Sequence, residues 1–224
     1  MSTALIVGAS RGIGAELARQ YRSDGWRVIA TVRKPADGDD LRERGCEVLQ
    51  VDIDKAEQCA ALGWQLDDER IDVAVLCAGI YGPQTAGLDA PSAADFDAVM
   101  HANVLGAVRL LPLLGPLVAN ANGRLAVLSS SMGSISLRAN TNGWLYRASK
   151  AALNSVLADA ALTFGPAGAI CVAMHPGWVR TDMGGSEADL SAAESVDALR
   201  ATLKKIRPAD NGKFLNYDGT PLPW

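Results

Sequence analysis

A short apolar run, Leu5-Ile-Val7, passes directly into three glycines, Gly8, Gly12 and Gly14, and then into Ile13, Leu17 and Tyr21 at helical spacing. This strand–turn–helix unit restricts the fold more than any bulk property of the chain. A strand that feeds a helix through so few residues is the opening unit of a parallel α/β sheet. Gly8 permits the tight turn, Gly12 lets the main chain approach a ligand, and Gly14 lets the helix pack close to the strand. The unpaired N–H groups of the first helical turn, at the positive end of the helix dipole, then face an anion such as a pyrophosphate. A glycine-rich loop is often no more than a turn; the strand before it and the helix after it give this one weight. Gly8, Ser10, Arg11, Gly12, Ile13 and Gly14 are therefore candidate nucleotide contacts.

At 224 residues the chain can form one large α/β domain with a sizeable buried core. Hydrophobic residues make up 49%, which excludes global disorder. The formal net charge is −4 and no basic block occurs, which argues against a nucleic-acid partner. No secretory pattern is read at the N-terminus, and no uninterrupted apolar run approaches the roughly 20 residues that span a bilayer. A cytoplasmic location without a membrane partner is expected. Cys46, Cys59, Cys77 and Cys171 lack metal-like spacing and are expected as reduced, mostly buried thiols. His101 and His175 have no third ligand beside them, so no metal site is expected.

Short β-branched runs then alternate with helical stretches. Further strands are expected at residues 28–32, 48–51, 73–77, 125–128, 170–174 and 214–217. Cys59, Leu62 and Leu66 share one helical stripe. A long helix from about Ser92 is expected to carry Phe96, Met100, Val104, Ala107 and Leu111 on one face, with Pro112 and Pro116 kinking or ending it. A second long helix is expected over residues 144–164. A last one starts at Ser191, with Val196, Leu199, Leu203 and Ile206 in phase. Repeated βα units imply right-handed crossovers and helices on both faces. The expected fold class is α/β: a single domain over residues 1–224 with a doubly wound, Rossmann-like parallel sheet of seven strands. Ligands of such sheets bind beyond the carboxyl ends of the strands, where strand order reverses.

The residues that follow the strand ends carry the chemistry. After strand two, an NAD site usually has Asp or Glu for the ribose 2′-hydroxyl. Here Arg33 and Lys34 stand instead, and with Arg11 they can hold a 2′-phosphate. NADPH is therefore expected over NADH, the alternative being that these cations form a solvated loop. Asp52, followed by Ile53, can accept from an adenine amino group or cap the next helix. Ala78 and Gly79 are small enough for the main chain to lie against an adenosine, or make an ordinary turn.

Tyr146-Arg-Ala-Ser-Lys150 sets a tyrosine and a lysine four apart on one helix face. A free tyrosine, with a pKa of roughly 10, is a poor acid–base group at neutral pH. A nearby ammonium and a cationic nicotinamide ring would lower that value. After strand five, Ser129-Ser-Ser131 offers a hydroxyl to hold a substrate oxygen in line. Such a set protonates a carbonyl oxygen while a nicotinamide delivers hydride. Alone, Tyr-x-x-x-Lys is a common accident; its company here gives it meaning.

Together these motifs resemble the short-chain dehydrogenase/reductase family over essentially the whole chain. Residues 8–14 are similar to that family's cofactor turn, Tyr146 to Lys150 to its active-site motif, and Ser130 to its serine. The resemblance makes Asn103 the asparagine that kinks the long helix and holds a water near the lysine. Pro176-Gly-Trp-Val-Arg-Thr181 is similar to the stretch that touches the nicotinamide end, which adds Pro176, Gly177, Val179 and Thr181 to the cofactor contacts. Residues 129–134, 175–183 and the 216–224 tail resemble C-factor and sniffer-like carbonyl reductases. The chain departs from the family at Leu76-Cys-Ala-Gly79, where Asn-Asn-Ala-Gly is common, and at Val7, where many members have Thr. Ser130 and Tyr146 are also farther apart than in many relatives. Three adjacent serines leave the serine assignment open by one position, with Ser129 ending the strand and Ser131 facing the pocket.

Between Thr181 and the last helix only about ten residues remain, too few for a deep helical flap. An open, shallow site is expected, with Gly184 and Gly185 favouring a mobile loop. Tyr81, Ser131, Trp144, Trp178 and Met183 are candidates to line it, or are simply core and rim. The expected activity is NADPH-dependent reduction of a small carbonyl compound, or the reverse alcohol oxidation, by Asn103, Ser130, Tyr146 and Lys150. The alternative is a dinucleotide-binding signalling or redox-sensing protein with little turnover. A retained-cofactor epimerase or dehydratase is weaker, because the chain is short for an added substrate domain. The two long helices offer a surface for a homodimer.

Overall fold

In the computed structural model, which describes residues 1–85 and 87–224, one sheet of seven parallel strands runs through the molecule. The strands are β1 (Thr3–Val7), β2 (Arg27–Val32), β3 (Glu47–Gln50), β4 (Val73–Leu76), β5 (Arg124–Leu128), β6 (Ile170–His175) and β7 (Phe214–Asn216), in the order β3-β2-β1-β4-β5-β6-β7. Leu5 pairs with Ile29 of β2 on one side and Ala74 of β4 on the other. All five residues of β1 are buried, as a strand covered on both faces requires. Alternation along β1 divides the core. Leu5 and Val7 join the cluster under α3 (Ala56–Gln65), α5 (Gly106–Ala119) and α6 (Trp144–Phe164), while Ala4 and Ile6 join the one under α1 (Gly12–Ser23), α2 (Asp39–Glu43) and α7 (Ala192–Lys205). The doubly wound sheet expected from the sequence is therefore present. The short α2 and the 3-10 turn Pro35–Gly38 before it had no periodic signal. Ser191 starts α7 through a capping box with Glu194.

The long helix departs from expectation in two ways. It consists of α4 (Ala93–Met100), a π-helical turn (His101–Leu105) and α5. The extra residue of the π turn shifts the helical phase. Phe96 is thus 47% exposed while Val99 is buried, and Asn103 turns inward at 2% exposure. Pro112 and Pro116 do not end α5, which continues to Ala119. Both prolines are on the exposed face, as is Val108, so the carbonyls they leave without an N–H partner reach water. Over Ala93–Ala119 the helix is long and apolar enough to cross a membrane by length and composition, with mean hydropathy 1.6, although half of that stretch is buried in the protein. Counting uninterrupted apolar runs missed it because Asp95, Asp97 and Arg109 break the run.

The chain end returns to the sheet. Leu222 N donates to Phe214 O at 2.8 Å, and the Trp224 ring stacks on Phe214 at 5.5 Å. Trp224 O accepts from Ser134 Oγ at 3.2 Å and Ser136 Oγ at 3.0 Å, in the loop after β5. Replacing Trp224 with Ala should therefore lower stability by about 2 kcal/mol. Thermal melting should register a Tm drop of about 4–8 °C; an unchanged Tm would show that the tail contributes nothing.

Candidate active site

Strand order reverses between β1 and β4, and a cleft of about 750 Å³ opens there beyond the strand ends. Its floor on one side is the turn from β1 to α1. Gly8 N donates to Thr31 Oγ1 at 3.0 Å and Ala9 N to Thr31 O at 2.8 Å, so β2 holds the turn. A Cβ on Gly14 would lie 2.1 Å from Gly8 O, and none could be accommodated without moving main chain. Arg11 is the N-cap of α1 and gives it no side-chain cap, and no acidic residue occupies the first turn. That bare, electropositive helix start fits a pyrophosphate. Gly8, Ser10, Arg11, Gly12, Ile13 and Gly14 all line the cleft.

Farther along, Arg33 and Lys34 line the cleft beside Asp37, and among the described residues neither forms an ion pair. Arg11 lines the same cleft. It pairs with Asp182 at 2.6 Å, linking the glycine turn to the loop after β6. Both partners are exposed, so this pair is weak and easily exchanged for an anion. Asp52 and Ile53 line the cleft, as do Ala78 and Gly79. Asp52 is not the cap of α3, whose N-cap is Lys55; its Oδ1 instead accepts from Asp54 N at 3.1 Å.

Pro176 and Thr181 face the cleft from the other side, but Gly177 and Val179 do not line it. Val179 is buried and bridges to Leu190, and Gly177 packs beneath Leu190 and Tyr217. The loop they start is fastened, where glycine content had indicated mobility. Trp178 Nε1 donates to Gly184 O at 2.8 Å, Gly184 N to Thr181 Oγ1 at 3.2 Å, and Arg180 Nη1 to Ala188 O at 2.8 Å. These local hydrogen bonds outweigh the freedom of two glycines. No helix covers the cleft between residues 181 and 190.

At the sheet side of the cleft, α6 presents Tyr146 and Lys150 on one face. Lys150 Nζ donates to Leu128 O at 2.8 Å and sits 5.6 Å from the Tyr146 ring centroid. Tyr81 stacks on Tyr146 with centroids 4.8 Å apart. Ser130, two residues beyond β5, is the N-cap of a 3-10 turn, with its Oγ accepting from Met132 N at 3.2 Å. Asn103 holds Ile80 through two hydrogen bonds of 2.8 Å, and its Nδ2 also donates to Ser149 Oγ at 2.9 Å. Gly79 must lack a side chain, because a Cβ there would lie 2.9 Å from Asn103 Oδ1 and 3.4 Å from Lys150 Nζ. The Asn103 amide is thus fully committed to fixing the segment beside Lys150.

The phenol is not acidified by the protein's own groups, contrary to the sequence expectation. Burial pushes Tyr146 up to about 12, opposed by the neighbouring Ser130 hydroxyl. Burial also pushes Lys150 down to about 8. Desolvation is the largest cause at both groups. Of the expected substrate residues, Met183 lines the cleft and Tyr81 touches Tyr146. Trp178 is half-exposed on the rim, Trp144 donates from Nε1 to Asp89 O, and Ser131 begins the 3-10 turn. Sequence reasoning missed Thr31, Cys77, Ala102, Leu128 and Arg180 in the cleft wall. Thr31 and Leu128 could have been found by applying the strand-end rule to every strand; Ala102 depends on the π turn and had no signal.

His175 ends β6 with Nδ1 buried and, among the described residues, without a partner. Burial pushes its pKa down from 6.5 to about 4. Between those values the unfolded chain binds a proton that the folded chain does not, so this group costs stability increasingly as pH falls through that window. In melts taken from about pH 7 to about pH 4, Tm of a His175→Gln variant should fall less steeply than that of the unmodified chain. Parallel curves would remove His175 as a cause.

A doubly wound sheet with an uncapped glycine turn at its switch point, Tyr146 and Lys150 at the opposite wall and Ser130 beside Tyr146 defines a class, and sequence comparison agrees with it. The profile of the family described as enoyl-(acyl carrier protein) reductase matches residues 8–215. The chain belongs to the short-chain dehydrogenase/reductase family. Within it, the C-factor and sniffer-like subgroup is where its relatives fall. It is 36% identical to the C-signal protein of Myxococcus xanthus over 69% of this chain and 93% of that one. A carbonyl reductase of Pseudomonas aeruginosa PAO1, solved in complex with NADP, superposes with TM-score 0.86 at 34% identity over 100% of both chains. The carbonyl reductase Sniffer of Drosophila melanogaster superposes with TM-score 0.86 at 29% identity over 100% of both.

Proposed function

We propose that the chain reduces small carbonyl compounds with NADPH. Bound in the cleft, the cofactor would supply hydride to the carbonyl carbon. The bare start of α1 would hold its pyrophosphate, and Arg33 and Lys34 its 2′-phosphate. Ser130 Oγ accepts one hydrogen bond from the main chain, which leaves its own proton to orient the substrate oxygen. Tyr146 gives its proton to that oxygen. A phenol held at about 12 stays protonated at neutral pH, which is the form reduction requires. Lys150 stabilises the phenolate that results, and Asn103 fixes the segment from Gly79 to Ile80 against which both work. The observation that carries this reading is the buried Tyr146 ring at the cleft wall, stacked on Tyr81 and 5.6 Å from the Lys150 ammonium.

NADPH oxidation is assayed against a panel of aldehydes and ketones. Turnover supports the reading. Tight NADPH binding without turnover across the panel supports a sensing role instead, the reading that similarity to the C-signal protein favours. Cofactor choice is tested by Arg33→Ala. Loss of a charge-assisted contact to the 2′-phosphate should raise KM for NADPH by about tenfold or more and leave KM for NADH nearly unchanged. Equal changes for both cofactors would place Arg33 outside 2′-phosphate recognition.

A further inference from the structure

We propose that Asn154 is a positioning residue that selects which of three adjacent serines orients the substrate; this rests on the carbonyl-reductase reading above. The end of β5 and one face of α6 meet in step. Leu128 O accepts from Lys150 Nζ at 2.8 Å, Ser129 Oγ donates to Asn154 Oδ1 at 2.5 Å, and the Ser130 hydroxyl neighbours Tyr146. Tyr146, Lys150 and Asn154 are spaced four apart, so one helix face engages three consecutive residues of the strand end.

Ser129 and Asn154 are 3% and 4% exposed, yet Ser129 belongs to the cleft wall. Its hydroxyl is turned away from the cleft and captured in the protein. The Ser130 hydroxyl accepts from Met132 N and lies beside Tyr146, and Ser131 has already entered the 3-10 turn. Asn154 Nδ2 is buried and, among the described residues, has no partner. A half-satisfied amide is unfavourable for stability. The amide at this position is accounted for by what its oxygen does to Ser129. Without that acceptor, the Ser129 hydroxyl is free to rotate into the cleft beside Lys150. There it competes with Ser130 for the substrate oxygen and holds it out of line with Tyr146.

The test is kinetics of Asn154→Leu, with and without Ser129→Ala, on a carbonyl that the unmodified chain reduces. Asn154→Leu should lower kcat about tenfold and change KM for NADPH less than about twofold. Adding Ser129→Ala should restore kcat to within about threefold of the unmodified chain, because it removes the competing hydroxyl. A loss of packing at residue 154 is not repaired by deleting a second group. Asn154→Ala is read in the same way if the Leu variant does not fold. A double variant as slow as the single one, or a single variant with unchanged kcat, overturns the inference alone. Absence of carbonyl turnover in the unmodified chain overturns the reading of the site, and the inference with it.

Discussion

If Tyr146 gives the proton as proposed, replacing it with Phe should lower kcat for carbonyl reduction about a thousandfold, within the range that a positioned general acid supplies. NADPH affinity stays close to that of the unmodified chain, because the ring remains stacked on Tyr81 and only the hydroxyl is lost. The substitution removes no partner from Lys150, whose Nζ donates to Leu128 O. The neighbouring Ser130 hydroxyl keeps the Met132 N–H as a partner. Stability is therefore kept, and the loss appears in chemistry alone. Stopped-flow hydride transfer and NADPH titration separate the two effects. Turnover within about tenfold of the unmodified rate would show that another group or water gives the proton.

Gly14→Ala is the second large effect, and it acts on the fold and the cofactor together. The added methyl would stand 2.1 Å from Gly8 O and 3.1 Å from Ala9 Cα, both main-chain atoms of the turn. Main chain must move, and such overpacking costs about 3 kcal/mol. A Tm drop of about 6–12 °C follows for a domain of this size. The same movement spoils the bare helix start that faces the cleft, so NADPH binding falls below detection at concentrations that saturate the unmodified chain. Gly63→Ala is the control: its methyl would meet only the Leu113 side chain at 3.4 Å, an ordinary contact. There the gain in helix propensity should raise stability by up to about 1 kcal/mol. If Gly14→Ala melts with the control, the turn is softer than its geometry shows.

The parts of this protein that could be read from sequence are those fixed by local chemistry. Strand, glycines and helix at residues 4–21 depend only on neighbours in the chain, and the sheet and its cleft followed from repeating such units. The spacing of Tyr146 and Lys150 likewise places both on one helix face whatever surrounds them. What could not be read depends on contacts distant in sequence. Nothing near Arg11 announces Asp182, 171 positions away. The pKa values of Tyr146 and Lys150 are set by burial, which residue spacing does not report. The phase of the long helix was lost because a π turn has no periodic signature, and with it the inward turn of Val99. The fastening of residues 178–190 rests on hydrogen bonds between side chains and main chain that glycine content conceals.

A helix that has already absorbed one surplus residue cannot surrender it freely. Each residue advances an α-helix by about 100°. The π turn takes up the surplus residue locally, so α4 and α5 keep their faces aligned across it. Deleting one position between His101 and Leu105 would let the stretch wind regularly with Phe96 still facing water. The damage would fall on the turn itself, where Asn103 holds Ile80 beside Lys150.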